Sequence, residues 1–227
     1  MEDTTRRPRR KVGLTHETVV DTALKLSQEC GIDGWSMRQI ATQLGVVQSV
    51  LYHYFPNKDS LCDAVMERIG AEVHLPDPAL EWKQWFFQML RDLRPSLLRY
   101  GGVTDRLARG GFTKSWLPII DIGCEKLIEA GFGEKASIAH TIIMNSAIHA
   151  VGAHNLRAPH QQEERHNLDE MLGRFESMMS TSPGLQLMVT SYLAPLSNPE
   201  LEEKMSEEYF DLAISCVLEG VDRTLRQ

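Results

Sequence analysis

The chain has 227 residues, 42% of them apolar and 24% charged, the balance of a globular protein that buries a sizeable core. No run of about 18 apolar residues occurs, so no membrane span is expected. The N-terminus is charged from its first residues and has no apolar centre, so it does not read as a secretory signal. A formal net charge of -7 taken alone argues against a nucleic-acid partner.

The distribution of charge changes that. Residues 1–60 carry eight Lys/Arg against seven Asp/Glu, whereas residues 61–227 carry 16 against 24. The acid therefore belongs to the C-terminal part. Base concentrates at Arg6, Arg7, Arg9, Arg10 and Lys11. Such a run is either a solvated tail or an arm that follows phosphates or enters a minor groove. Four scattered cysteines (Cys30, Cys62, Cys124, Cys216) with no CxxC point to reduced thiols in a cytoplasmic protein.

In chain order, Thr15-His16-Glu17 is a helix cap with acid in the first turn. Val19, Val20, Ala23, Leu24, Leu26 and Cys30 then give a first helix that Gly31 ends. Trp35 is expected to plug the space between the first three helices. Ser36 with Gln39 forms a capping box, so a second helix starts there, with Ile40, Ala41 and Leu44 on its apolar face. Gly45 supplies a left-handed exit. Helical spacing resumes from Val47 to Tyr54, and the Pro56-Asn57-Lys58 break ends it. Helix, glycine-bearing turn, helix is the arrangement whose second helix can enter a major groove. A fourth helix opens at Lys58-Asp59, carries Leu61, Ala64, Val65 and Ile69, and stops before Pro76 and Pro78. It would tie this head to the rest.

From Leu80 the pattern is helical throughout. Helices are predicted near 80–99, 103–109, 114–130, 134–157, 184–194 and 205–225, with another near 166–179. Pro95 and Pro118 predict a kink or restart in the first and third of these. The domains follow: a basic arm at 1–13, a helix-turn-helix domain with its connecting helix at 14–75, and an effector-binding and dimerisation domain at 79–227. The fold class is all-α.

The stretch LGVVQSVLYHYFPNKDSL, residues 44–61, resembles the signature of the tetracycline-repressor (TetR) family. Leu44, Gly45, Val46, Leu51, Tyr52, Tyr54, Phe55, Asn57, Lys58, Asp59 and Leu61 fall on the pattern. One residue departs from it: Val47 stands where the family has Ser or Thr, so the recognition helix lacks its side-chain N-cap. The segment from Trp82 to Phe132 and the closing EYFDLAISCVLEGVDRTL resemble the ligand-binding domain of the tetracycline-repressor subclass. The resemblance implies a cytoplasmic regulator that binds a palindromic DNA operator as a homodimer and answers to a small molecule.

The N-terminal side chains of a recognition helix reach base edges. Here these are Gln48 and Ser49 with Tyr52 and His53 a turn on. Gln48 carries the paired donor and acceptor that read adenine. Arg38 on the supporting helix could reach guanine or phosphate. The resemblance places Tyr52 and Lys58 on phosphates, and Arg9 and Arg10 are assigned to the arm's DNA contacts. Dimerisation is expected through 134–157 and 205–225. The small Ser146, Ala147, Ala150, Gly152 and Ala153 permit close helix approach, and Phe210, Ala213, Ile214, Val217 and Val221 form the apolar stripe.

Aromatics and methionines crowd the middle of the second domain, as a small-molecule site needs. Trp85, Met89, Phe112, Trp116, Asn145 and His149 are the candidate effector contacts, for an apolar or aromatic ligand. Asn145 and His149, one turn apart, would orient its polar group. The histidines His140, His149, His154, His160 and His166 do not have the spacing of a zinc pair, so no metal or cofactor is expected. No nucleophile–base pair or phosphate loop supports an enzyme. Two rival readings are an activator or partner-regulated DNA-binding protein of the same fold, and a helical enzyme or ligand carrier.

Overall fold

The computed structural model describes residues 13–155 and 168–226. Arg9, Arg10, the rest of the basic run, His160 and His166 lie outside them, as do the side chains of Ala153 and His154. Among the described residues there is no strand, and no helix is long and apolar enough to cross a membrane.

The head is built as its capping residues dictate. Helix α1 (His16–Cys30) is opened by a capping box between Thr15 and Thr18. Helix α2 (Met37–Leu44) is opened by one between Ser36 and Gln39. Gly45 leaves α2 in the left-handed region, φ 69°, ψ 31°, which a residue with a Cβ enters only at a cost. Helix α4 (Lys58–Ala71) has a third box, between Asn57 and Ser60. Val19, Ala23, Ile40, Leu51, Leu61 and Val65 close the space between these helices. Trp35 fills its centre at 1% exposure, with Nε1 donating to Ser27 Oγ at 2.8 Å.

Helix α3 is shorter than predicted: Gln48–Leu51 alone is regular helix, and residues 52–54 continue as turn. Two local causes are visible. Pro56 biases Phe55 away from helical backbone. Tyr54 is pulled toward the start of α1, where its hydroxyl donates to the Leu14 carbonyl at 2.9 Å and its ring meets His16 edge-on.

The body comprises α5 (Trp82–Arg99), α6 (Val103–Ala108), α7 (Leu117–Glu129), α8 (Ala136–Asn155), α9 (Leu168–Met179), α10 (Pro183–Met188) and α11 (Pro199–Leu225). Pro95 does not restart α5. Leu93 and Leu97, on either side of it, are buried, and that packing offsets the one hydrogen bond a proline removes. Pro118 sits in the first turn of α7, where its missing N–H has no helical partner to lose. The segment predicted at 184–194 is broken: α10 gives way to a π-turn, Val189–Leu193, and a 3-10 turn, Ala194–Ser197. Asn198 caps α11, which begins before the predicted 205.

Helix α4 lies between head and body. Trp116, in the 3-10 turn Lys114–Trp116, donates from Nε1 to the Met66 carbonyl at 3.0 Å, and the Ser115 amide donates to Glu67 at 3.1 Å. Gly70 lets the two elements touch, since a Cβ there would stand 2.3 Å from Ser115 Oγ and 2.6 Å from Trp116 Nε1. A second junction lies at the α1–α2 loop, where the Ile32 amide donates to the Gly101 carbonyl at 2.8 Å and Gln28 donates to Tyr100 Oη at 3.2 Å. The link from α4 to α5 is also held: the buried Lys126 donates to the carbonyls of Pro78 and Leu80 at 2.7 and 2.8 Å. Gly70→Ala is therefore expected to overpack the α4–body contact and destabilise the protein by about 1–3 kcal/mol in urea unfolding. An unchanged midpoint would show that this contact yields without strain.

Candidate nucleic-acid interface and effector domain

On the head, the residues predicted to touch DNA share an exposed face. Ser49, His53 and Arg38 are exposed, Gln48 and Lys58 are half-buried, and Tyr52 is 46% exposed. Two of them hold each other: Gln48 Nε2 donates to Tyr52 Oη at 2.9 Å. That bond uses one of the two Gln48 N–H donors, leaving the other and the amide oxygen, the pair that adenine requires. It also occupies an acceptor site on Tyr52 and leaves the hydroxyl proton free for a phosphate.

Lys58 stands on the first turn of α4, an unfavourable end for a cation. Its ammonium is steadied by the Asp33 carbonyl at 2.6 Å and by the Trp35 ring, whose centroid is 5.1 Å away. Two of its three N–H donors remain for an anion. Val47 makes no side-chain cap for α3, as its chemistry dictates, and is 67% exposed.

The same corner carries residues that sequence reasoning missed. Arg106 of α6 reaches across to the head and grips Asp33 through Nη2 at 2.6 Å and Nε at 3.3 Å, with Asp59 at 3.4 Å. Burial works against its charge, but the hydrogen bonds it donates to Asp33 and Asp59 win, and the guanidinium is held more firmly protonated than an ordinary arginine. Cys62 beneath it is buried, and desolvation pushes its thiol up to about 11, leaving it a neutral packing group. Asp33 and Arg106 are 73 residues apart, so no local signal links them.

In the body the candidate effector residues divide. Trp85 and Met89 are fully buried, with Trp85 and Trp82 both edge-on to Phe86 in an aromatic core, and Trp116 is buried against α4. Phe112 is 44% exposed. Asn145 and His149 are exposed and do not face that core, and His149 Nδ1 is engaged with the Asn145 carbonyl at 2.7 Å. The structure therefore does not bring these six together. Asn145 and His149 do share a face of α8, but it is the outward one.

The polar groups that do reach the core are others. Trp82 Nε1, Trp85 Nε1 and His140 Nε2 are buried and make no hydrogen bond. Desolvation pushes His140 below the usual histidine range, a backbone hydrogen bond with Ile119 opposing it, so it favours the neutral ring. Orphaned buried polar atoms are rare in folded proteins. A groove of about 780 Å³ lies elsewhere, between α5 and α11. Its two cations are already paired across it, Lys83 with Glu219 and Arg91 with Glu207, each at 2.9 Å.

The predicted dimer stripe is also displaced. Phe210, Ile214, Val221 and Ala147 are buried within their own chain at 0–4% exposure, because α8 and α11 pack against each other and against α5. The opposite face of α11 carries exposed Leu201, Tyr209 and Leu212, and α8 exposes Ile138 and Ile142. Among the described residues no group of three or more His, Cys, Asp or Glu is placed to hold a metal ion.

A three-helix head whose third helix presents an exposed face, seated on an all-helical body, defines a helix-turn-helix DNA-binding protein. Residues 19–65 match the family model of bacterial regulatory proteins of the tetR family, so the head is similar to the heads of the TetR family. Members of that family are transcription factors, not enzymes. The tetracycline repressor protein class A from transposon 1721 of Escherichia coli is 34% identical over 145 residues, 62% of this chain and 65% of the repressor. The chain thus matches less than two thirds of that relative's length. A TetR variant from Acinetobacter baumannii AYE, solved in complex with minocycline, shares the fold over 95% of this chain and 100% of its own, with a TM-score of 0.69 at 21% identity. BioQ, solved with its double-stranded DNA operator, shares it over 80% and 99%, with a TM-score of 0.56 at 22% identity.

Val47→Ser is expected to restore an N-cap to α3 and raise the stability of the head by about 0.5–1 kcal/mol, read as a rise in the unfolding midpoint. No gain would mean that the α3 amides are already satisfied.

Proposed function

We propose that the chain is a ligand-responsive transcriptional repressor that binds a palindromic operator as a homodimer and is released by a small-molecule effector. The observation that carries this is the outward face of α3 and α4, where Gln48 and Tyr52 are oriented by one hydrogen bond and Lys58 keeps two donors free. Gln48, Ser49 and His53 read base edges, with Arg38 beside them; Tyr52 and Lys58 hold phosphates and set the register. The repressor named among its relatives supports the direction of control.

One head buries little surface, so tight binding requires two, set about 34–36 Å apart on successive turns of the duplex. The exposed stripe Leu201, Tyr209 and Leu212 on α11, with Ile138 and Ile142 on α8, is the surface a second copy would cover. Leu212→Glu should give a monomer in sedimentation and lose tight duplex binding. A dimer that survives this change would place the interface elsewhere.

The effector is an apolar or aromatic molecule received in the aromatic core of the body, where the unpartnered nitrogens of Trp85, Trp82 and His140 offer its polar atoms a match. That a fold relative was solved in complex with minocycline supports a small-molecule effector.

Selection of a duplex from a random pool, followed by titration at several salt concentrations, tests the reading. Gln48→Ala should lose about 1–3 kcal/mol of discrimination at one base position, and Lys58→Ala should weaken all duplexes alike and flatten the salt slope by about one. Uniform loss in both would refute the base-reading role of Gln48. An unenriched pool would sink DNA binding itself, and a complex that no aromatic compound dissociates would sink effector release.

A further inference from the structure

The corner between α6 and the head holds charge that DNA recognition alone does not need. A polar groove there is lined by Asp33, Asp59, Asp63 and Asp105 with only Arg106 and Arg109 to balance them. It opens beside Lys58, whose ammonium sits 2.6 Å from the Asp33 carbonyl and whose chain neighbour is Asp59. The carboxylates of Asp33, whose carbonyl holds the Lys58 ammonium, and of Asp59, the chain neighbour of Lys58, thus share the corner with a group assigned to a phosphate, and salt screens charges this exposed only in part at low ionic strength. Left uncompensated, they would repel the duplex backbone.

Arg106 covers both. Its side chain is only 16% exposed, while those of Asp33 and Asp59 are 48% and 82% exposed. It grips the Asp33 carboxylate through two nitrogens and reaches Asp59 with the same Nη2. Arg106 belongs to the body, on the short α6, and the aspartates belong to the head. The charge of the DNA-facing corner is therefore completed by a residue from the other domain.

We propose that Arg106 is a charge mask: docked, it neutralises Asp33 and Asp59 and lets the head accept phosphates, and any shift of the body that withdraws α6 leaves both carboxylates uncompensated beside Lys58 and drives DNA off. This rests on the reading of the head as a DNA-binding surface. It deepens that reading by giving release an electrostatic component separate from the spacing of two heads. Arg106 is a positioning residue and touches no DNA itself. Asp33 is the joint, with its carboxylate held by the body and its carbonyl steadying the phosphate-binding lysine.

The test uses the full chain and the duplex enriched from the random pool. Arg106→Gln mimics the withdrawn state. It should weaken binding about tenfold at low salt, within the usual range of coupling between sites. Because the loss is repulsive, it should shrink as salt rises. Adding Asp33→Asn and Asp59→Asn to Arg106→Gln should restore most of the affinity, though it restores no contact. Arg68→Gln, which removes a head arginine paired with Glu17 and Asp21 away from this corner, should leave binding unchanged. A loss in Arg106→Gln that is equal at all salts, or that the two asparagines fail to rescue, would overturn the mask and leave Arg106 a structural brace. Unaltered binding in Arg106→Gln would overturn it as well. In all three cases the wild-type chain still binds its duplex, so DNA recognition stands; a wild-type chain that enriches no duplex overturns both.

Discussion

The contact between α4 and the turn at Lys114–Trp116 is the constraint on which the rest depends. α4 begins with the cap that presents Lys58 and ends against the body at Gly70. Its outer turns have no freedom to adjust, because Gly70 touches Trp116 and Ser115 with no room for a methyl group, and Trp116 and Ser115 hydrogen-bond its backbone and Glu67. A close-packed contact of this kind is bistable rather than elastic. A shift of the 114–116 turn must carry α4 with it or break two hydrogen bonds. This is why a helix that caps the DNA-facing corner at one end can report on the body at the other.

The second constraint is electrostatic. The body is acidic and the head near neutral, so the molecule meets a polyanion with the wrong total charge. The structure deals with this by pairing rather than by excess base. Lys83 and Arg91 are clipped to acids of α11, Arg68 to acids of α1, and Arg106 to the two aspartates beside Lys58. Exposed pairs of the first two kinds contribute little to stability. The last is the most enclosed of the three arginine clusters, and it is the one that spans head and body. Pairing it there uses a single half-buried guanidinium for two purposes, holding the domains together and shaping the field at the proposed recognition surface.

How much of this was legible in the sequence follows from how far each interaction reaches along the chain. Caps are local, so Thr15, Ser36 and Gly45 announced α1, α2 and the turn, and Val47 announced the uncapped start of α3. Asn57 with Ser60 carried the same signal and was passed over in favour of the Lys58-Asp59 pair. The early end of α3 is partly local, at Pro56, and partly not, since the pull of Leu14 on Tyr54 acts over 40 residues. Periodicity says that a helix has an apolar face but not what covers it. The stripe Phe210, Ile214 and Val221 was thus read as an outer face when it is the inner one, and the outer face at Leu201, Tyr209 and Leu212 was missed. Asn145 and His149 show the same limit: one turn apart guarantees one face, and that face is the outward one of α8 that also carries Ile138 and Ile142, turned away from the aromatic core. Arg106 with Asp33 had no local trace at all.

These points bear on how an effector could act. The aromatic core around Trp85 and Phe86 is packed, yet it carries buried nitrogens with nothing to bond. Such atoms make the closed core less stable than its apolar packing alone would allow, by about 1–3 kcal/mol for each group left unpaired. A ligand that supplied their partners would recover that energy only in the state that admits it, and differential affinity of this kind is what a population shift requires. α8, which packs on α5, also packs on α6, and α7, which packs on α5, also packs on the 114–116 turn, so a core that opened around Trp85 would reach both through these helices. α6 holds Arg106 over Asp33 and Asp59, and the turn holds α4. On this view the weak point of the body and the two grips on the head belong to one mechanism: unsatisfied polar atoms set how easily the core opens, and the grips turn its opening into a change at the phosphate-binding corner.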